Sequence, residues 1–139
     1  MTSGFEHFDV EADVGVRAWG PARGEAFAQA ALGVLALGVA PAQVAERDSR
    51  DIRAQGASIE ELLVAWVNEC VYVQEIEGFA VHRVSVTALG AEVVHGSLHG
   101  EELDASRHRL GTVVKGATHH RVSVVTTATG WEVRVIVDV

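Results

Sequence analysis

The last nine residues, Trp131-Glu132-Val133-Arg134-Val135-Ile136-Val137-Asp138-Val139, alternate with a period of two. Trp131, Val133, Val135, Val137 and Val139 fall on one face, and Glu132, Arg134, Ile136 and Asp138 on the other. Successive side chains of a strand point to opposite faces, so this segment is a strand with a core side. The same rhythm recurs upstream. Val14, Val16 and Ala18 alternate after Asp13, and Val122, Val124 and Thr126 mark another strand. Val81, Val84 and Val86 mark a further one, with one slip in the alternation.

Two segments follow a helical period instead. After Pro21, Phe27, Ala30, Ala31, Val34 and Leu35 fall at i, i+3, i+4, i+7 and i+8, one apolar stripe with the proline tolerated in the first turn. Ser58-Ile59-Glu60-Glu61 reads as a capping box, in which serine and the glutamate three residues on satisfy free N–H groups. Ile59, Leu62, Leu63, Trp66, Cys70 and Val73 continue as the apolar stripe, and Gly78 is the expected stop. Leu89-Gly90-Ala91 and Ala128-Thr129-Gly130 read as hairpin turns. The expected order is strand, helix, strand, helix, then a run of strands. That order predicts an α+β, two-layer fold: a mostly antiparallel or mixed sheet with two helices packed on one face.

The chain of 139 residues has 48% hydrophobic and 22% charged residues, which suits one domain over 1–139 with a sizeable core. Pro21 and Pro41 are the only prolines, and no linker or repeat is visible. No apolar run approaches the roughly 20 residues of a membrane span. The opening Met1-Thr2-Ser3-Gly4-Phe5-Glu6 lacks the basic and apolar regions of a secretory leader. A single cysteine, Cys70, excludes an internal disulfide or a multi-cysteine zinc site and suits a reducing cytoplasm. Eleven basic against 19 acidic residues give a net charge of −8. This opposes unaided binding to nucleic acid and suits metal cations or a basic protein partner.

Nucleophile elbow, phosphate loop, H-E-x-x-H and dinucleotide-binding patterns are absent. Gly20-Pro21-Ala22-Arg23-Gly24 opens a helix but lacks the lysine-serine/threonine end of a phosphate loop. His95 and His99 sit in a strand-like, glycine-bearing stretch, about 13 Å apart and too far to share one ion. Of His119 and His120, only one can face a given site; near Lys115 and Arg121 it could bind an anion or act as an acid–base group. Asp13 begins one strand, Asp138 ends the last, and Val139 carries a terminal carboxylate. Should those strands be neighbours, three anionic groups converge and require a cation, with all-oxygen ligation suiting Ca²⁺ or Mg²⁺. The alternative is two solvated strand-end aspartates.

At this point the residues resemble a known family. Phe5-Glu6-His7-Phe8-Asp9-Val10-Glu11-Ala12-Asp13-Val14-Gly15-Val16 is similar to the start of the archeases. Matches follow in order: Glu25-Ala26-Phe27 with Ala30-Ala31-Leu32-Gly33, then Glu61-Leu62-Leu63-Val64-Ala65-Trp66-Val67-Asn68-Glu69. Gly100-Glu101 with Arg107-His108, Val114-Lys115-Gly116-Ala117-Thr118-His119-His120 and the terminal strand complete the set. It spans nearly the whole chain.

The resemblance implies a non-catalytic accessory protein of an RtcB-type RNA ligase, active in tRNA splicing or RNA repair. Such a protein promotes guanylylation of the ligase and multiple turnover, and meets RNA only through the ligase. It also implies a divalent cation, usually assigned as Ca²⁺, on Asp13, Asp138 and Val139. Lys115, His108, His120 and Glu101 are the expected partner-binding residues. Two departures stand out. The family's usual lysine-alanine-x-threonine-tyrosine-histidine is Lys115-Gly116-Ala117-Thr118-His119-His120 here, and a usual threonine is Glu11. In strand geometry Glu11 and Asp13 would share a face, offering a fourth carboxylate. The competing readings are a small metal-dependent phosphohydrolase or nucleotide-binding enzyme, and a domain without metal.

Overall fold

The computed structural model describes residues 2–139; the leader reading begins at Met1, which lies outside them. In chain order the elements are β1 (Gly4–Val10), β2 (Asp13–Gly20), α1 (Arg23–Leu35) and a 3-10 turn (Pro41–Gln43). Then come β3 (Asp48–Gln55), α2 (Ile59–Glu75), β4 (Phe79–Leu89), β5 (Val93–Glu102), β6 (Gly116–Thr127) and β7 (Gly130–Asp138). All strand pairs are antiparallel, as expected of an α+β fold. The expected single sheet is divided in two: four strands in the order β1-β2-β7-β6, and three in the order β3-β5-β4.

The helices lie between these sheets, and their sequences show why. On α1, Gly33 approaches Val16 and Phe5 so closely that a Cβ would come within 2.7 Å of Val16 Cγ1. Gly24, nine residues earlier and half a turn around the helix, faces Val86 of β4 instead. Both sides of α1 are therefore covered, and its burial extends beyond the single stripe to Ala26, Ala28 and Gly33. On α2, Trp66 points to the three-stranded sheet, where only a glycine at position 96 leaves room for its ring. Its indole N–H donates to the Phe27 carbonyl at 3.0 Å, so the buried nitrogen is satisfied. Asn68, on the opposite side of α2, accepts from Ala117 N–H at 2.7 Å and so meets β6.

Local signals account for the element ends. Ser58 Oγ accepts from Glu61 N–H at 3.1 Å, and the Glu61 carboxylate accepts from Ala57 N–H, one residue ahead of the cap. Gly78 takes a left-handed φ of 69°, three residues past the end of α2. The slip in alternation after Val81 is a register shift between Val81 and Arg83, and a second shift follows Val86. On β7, Val133, Val135 and Val137 are fully buried. Ile136 on the other face is buried too, in a row with Gly15, whose bare Cα lies under the Phe8 ring.

Candidate functional site

The β2–β7 register pairs Gly15 with Ile136 and Val14 with Val137. Val14 with Val137 is the last registered pair, and Asp13 and Asp138 are the next residue on each strand. Directly opposed residues of an antiparallel pair project to the same side. Both aspartates thus lie on the face of the four-stranded sheet turned away from the helices, beyond the Phe8–Gly15–Ile136 row. Val139 follows directly. Asp13 is half-buried and Asp138 exposed, and neither carboxylate makes a hydrogen bond or ion pair among the described residues. No group of three or more His, Cys, Asp or Glu side chains among the described residues is placed to hold a metal. Asp13 and Asp138 bring two carboxylates to this strand end, oxygen donors of the kind a hard cation takes.

Lys115 shares this end of the sheet: its N–H donates to the Asp138 carbonyl at 2.9 Å, and Gly116 pairs with Asp138. Glu11 does not continue the strand. It is the first residue of the two-residue β1–β2 turn, at a φ of 47°, so strand alternation does not place it beside Asp13. His119 and His120 lie where β6 bulges, between Thr118 opposite Ile136 and Ser123 opposite Arg134. Arg121 adopts a φ of 55° in that bulge. His120 is exposed there, opposite the middle of β7 and away from the aspartates.

Glu101 and His108 depart from the expected partner surface: both are buried, Glu101 near the end of β5 in the other sheet and His108 in the segment that follows it. Glu101 Oε2 accepts from Ala45 N–H at 2.8 Å and from His108 Nε2 at 3.0 Å. Asp104 N–H donates to His108 Nδ1 at 3.0 Å, so Nε2 carries the ring proton and points it at Glu101. Arg107 approaches Glu101 Oε1 at 2.7 Å and Arg47 at 3.2 Å. The backbone N–H of Ala45, then Arg107 and His108, hold the Glu101 carboxyl down at about 2. This cluster ties β5 to the segments before β3 and after β5. Arg47 and Ala45 carried no motif in the sequence; the contacts join residues more than 50 positions apart, which spacing does not reveal.

His95 and His99 both lie on β5, and His99 Nε2 is engaged with Ser85 Oγ at 2.9 Å. Cys70 is fully buried in α2, which pushes its thiol well above the usual range and keeps it unreactive. A groove of about 720 Å³ runs beside Asp138, lined among others by Asn68, Tyr72, Ile76, Val113 and Lys115. No described helix is long and apolar enough to cross a membrane.

Residues 5–139 match a sequence model of the Archease protein family (MTH1598/TM1083). The chain belongs to the archease family. Protein archease of Saccharolobus islandicus is 32% identical over 136 residues, covering 97% of this chain and 98% of the relative. Protein archease of Pyrococcus furiosus is 28% identical, with the same shares covered. In structure, the chain resembles Methanobacterium thermoautotrophicum protein 1598, with a TM-score of 0.79, 25% identity and coverage of 98% and 99%. A Thermotoga maritima archease, described as a possible chaperone, aligns at a TM-score of 0.62 and 16% identity over 96% of each chain, a likeness of fold.

Proposed function

We propose that this archease is a non-catalytic, cytoplasmic accessory protein of an RtcB-type RNA ligase, promoting ligase guanylylation and multiple turnover in tRNA splicing or RNA repair. It would carry a divalent cation, Ca²⁺, on Asp13, Asp138 and the Val139 carboxylate. The observation that supports this most directly is the pair of uncommitted aspartates at matching positions of β2 and β7. Like charges so placed repel unless a cation lies between them. When bound, the ion would neutralise the strand ends and fasten the first hairpin to the last strand. Lys115 at the same end supplies a positive charge for contact with the ligase. An acidic chain steers toward a basic RNA-binding enzyme without competing for its RNA. Docking that favours the guanylylation-competent ligase shifts its population by the difference in affinity for the two states.

The rival reading, a metal-dependent phosphohydrolase or nucleotide-binding enzyme, needs His108 or His120 as its acid–base group. His108 is buried with both ring nitrogens engaged, and His120 sits apart in the β6 bulge. The deciding experiment is a ligation time course at limiting ligase, with guanylylated ligase read on the same samples. Stimulation by wild type, with loss in Asp138→Ala, is the expected result. Equal stimulation by both removes the cation site from the mechanism; no stimulation with an active ligase removes the accessory role.

A further inference from the structure

The C-terminal half of α2 leaves an unusual surface. Five large apolar side chains are exposed among the described residues: Tyr72 (51%), Ile76 (69%), Leu110 (55%), Val113 (66%) and Val125 (47%). Four of the five line two adjoining depressions. Tyr72, Ile76 and Val113 line the 720 Å³ groove. Leu110 and Val113 line a smaller pocket of about 210 Å³, which shares Glu75 with the groove. Apolar side chains gathered in this way mark a contact surface more often than chance exposure does.

The polar groups around the patch specify a cation. α2 ends here with no basic residue in its last turn, so the partial negative charge of its final carbonyls is uncompensated. Glu75 adds a carboxylate, whose one contact among the described residues is a 3.5 Å hydrogen bond from Val114 N–H, and Lys115 is the one cation in the lining. Gln74 lines the smaller pocket; its Nε2 donates to the Leu35 carbonyl at 2.9 Å, while its buried Oε1 has no partner. Gln74 Oε1, the Glu75 carboxylate and the last carbonyls of α2 are all acceptors. Phosphate-bearing ligands are repelled by this arrangement, and a second copy of a chain with net charge −8 is disfavoured.

We infer that this surface is a docking site for a protein partner, through a segment carrying a lysine or arginine between apolar side chains. The cation faces Glu75 and the C-terminal end of α2, and the apolar neighbours cover Tyr72, Ile76 and Val113. Buried apolar anchors beside one complementary charge are the usual energetic centre of such contacts. The inference rests on the accessory-protein reading only for the identity of the partner.

Two arms test it. In the first, the full ¹⁵N-labelled chain is titrated with a blocked Leu-Arg-Phe-Leu peptide and with its Leu-Glu-Phe-Leu counterpart. Shift changes confined to the surroundings of Tyr72, Ile76 and Val113, with at least tenfold weaker binding of the glutamate peptide, are expected. Glu75→Gln should bring the two peptides within twofold of each other. Absent shifts, shifts elsewhere, or equal binding overturn the proposal, as does concentration-dependent self-association that covers these residues. In the second arm, the triple variant Tyr72→Ser, Ile76→Ser, Val113→Ser is compared with wild type in the ligation assay, its fold checked by circular dichroism. A half-maximal concentration raised at least tenfold with an unchanged plateau is expected; an unchanged half-maximal concentration overturns the docking role. Peptide binding as described, with no effect of wild type on the ligase, would leave the surface standing and remove the ligase as its partner.

Discussion

Two carboxylate sites at the ends of two different sheets show opposite solutions to the same problem. At the end of β5, Glu101 is buried and surrounded by donors: Ala45 N–H, Arg107 and His108, with Arg47 beside them. At the shared end of β2 and β7, Asp13 and Asp138 lie one step beyond the Val14–Val137 pair, and among the described residues neither carboxylate accepts a hydrogen bond. A buried anion must be compensated inside the fold, so Glu101 is committed to holding the chain together. The aspartates stand nearer the surface, where water solvates them, and the proposed cation would sit between them. Glu101 is compensated from within the fold, whereas Asp13 and Asp138 are left to solvent or, as proposed, to a cation.

Glu101→Ala is the substitution expected to do the most harm. It leaves His108 and Arg107 without their acceptor and frees the segment around Ala45, and its melting temperature should fall further than that of any other variant named here. Calcium binding should be unchanged. The pH dependence follows from the same contacts. The folded-state carboxyl sits at about 2 instead of its ordinary 4.5. Its contribution is therefore complete above pH 4.5 and is lost as pH falls toward about 2. The stability gap between wild type and Glu101→Gln, followed by urea denaturation, should narrow over that window. A constant gap would show that the carboxylate charge is not what the cluster uses.

Asp138→Asn and Asp13→Asn should behave in the reverse way. Without calcium each is as stable as wild type or slightly more so, because a like-charge contact is relieved. With calcium at about one hundred times its dissociation constant, wild type should gain about 2.7 kcal/mol by linkage, and the variants should gain little of it. Calorimetric melts with and without the ion read both effects. A stabilisation by calcium that survives in both variants would place the cation elsewhere. One glycine added after Val139 moves the terminal carboxylate away and should weaken calcium binding about tenfold, with the metal-free melt unchanged.

The comparison also explains how much could be read in the sequence. The terminal strand, both helices and the Ser58 cap were legible because their signals are local: alternation, a 3.6-residue period, and a side chain reaching its own helix end. The division into two sheets was not. It depends on the helices being covered on both sides, which Gly24, Gly33 and Gly96 permit through close approaches that no periodicity records. Of the site, the pairing of Asp13 with Asp138 depends on β2 lying beside β7, a neighbour relation between opposite ends of the chain that the family resemblance supplied. The expectation that His108 and Glu101 meet a partner rests on the family resemblance, and a histidine and a glutamate in a polar stretch give no sign of burial. Only the fold brings Ala45, Arg47 and Arg107 around them.

The smallest expected effect separates the donors of Glu101 from one another. Arg47 reaches Oε1 at 3.2 Å with a side chain that is 70% exposed, whereas Arg107 reaches the same oxygen at 2.7 Å and also touches Asp104 at 3.2 Å. An exposed pair gains little over hydration and must still order a long side chain, so Arg47→Ala should cost about 0–1 kcal/mol. Arg107→Ala should cost more, because it leaves the buried oxygen short of its nearer donor and loosens the Asp104 turn. A double-mutant cycle against Glu101→Gln isolates each pair. If Arg47 couples to Glu101 as strongly as Arg107 does, the anion is compensated from solvent as much as from within. The contrast with Asp13 and Asp138 would then be one of degree.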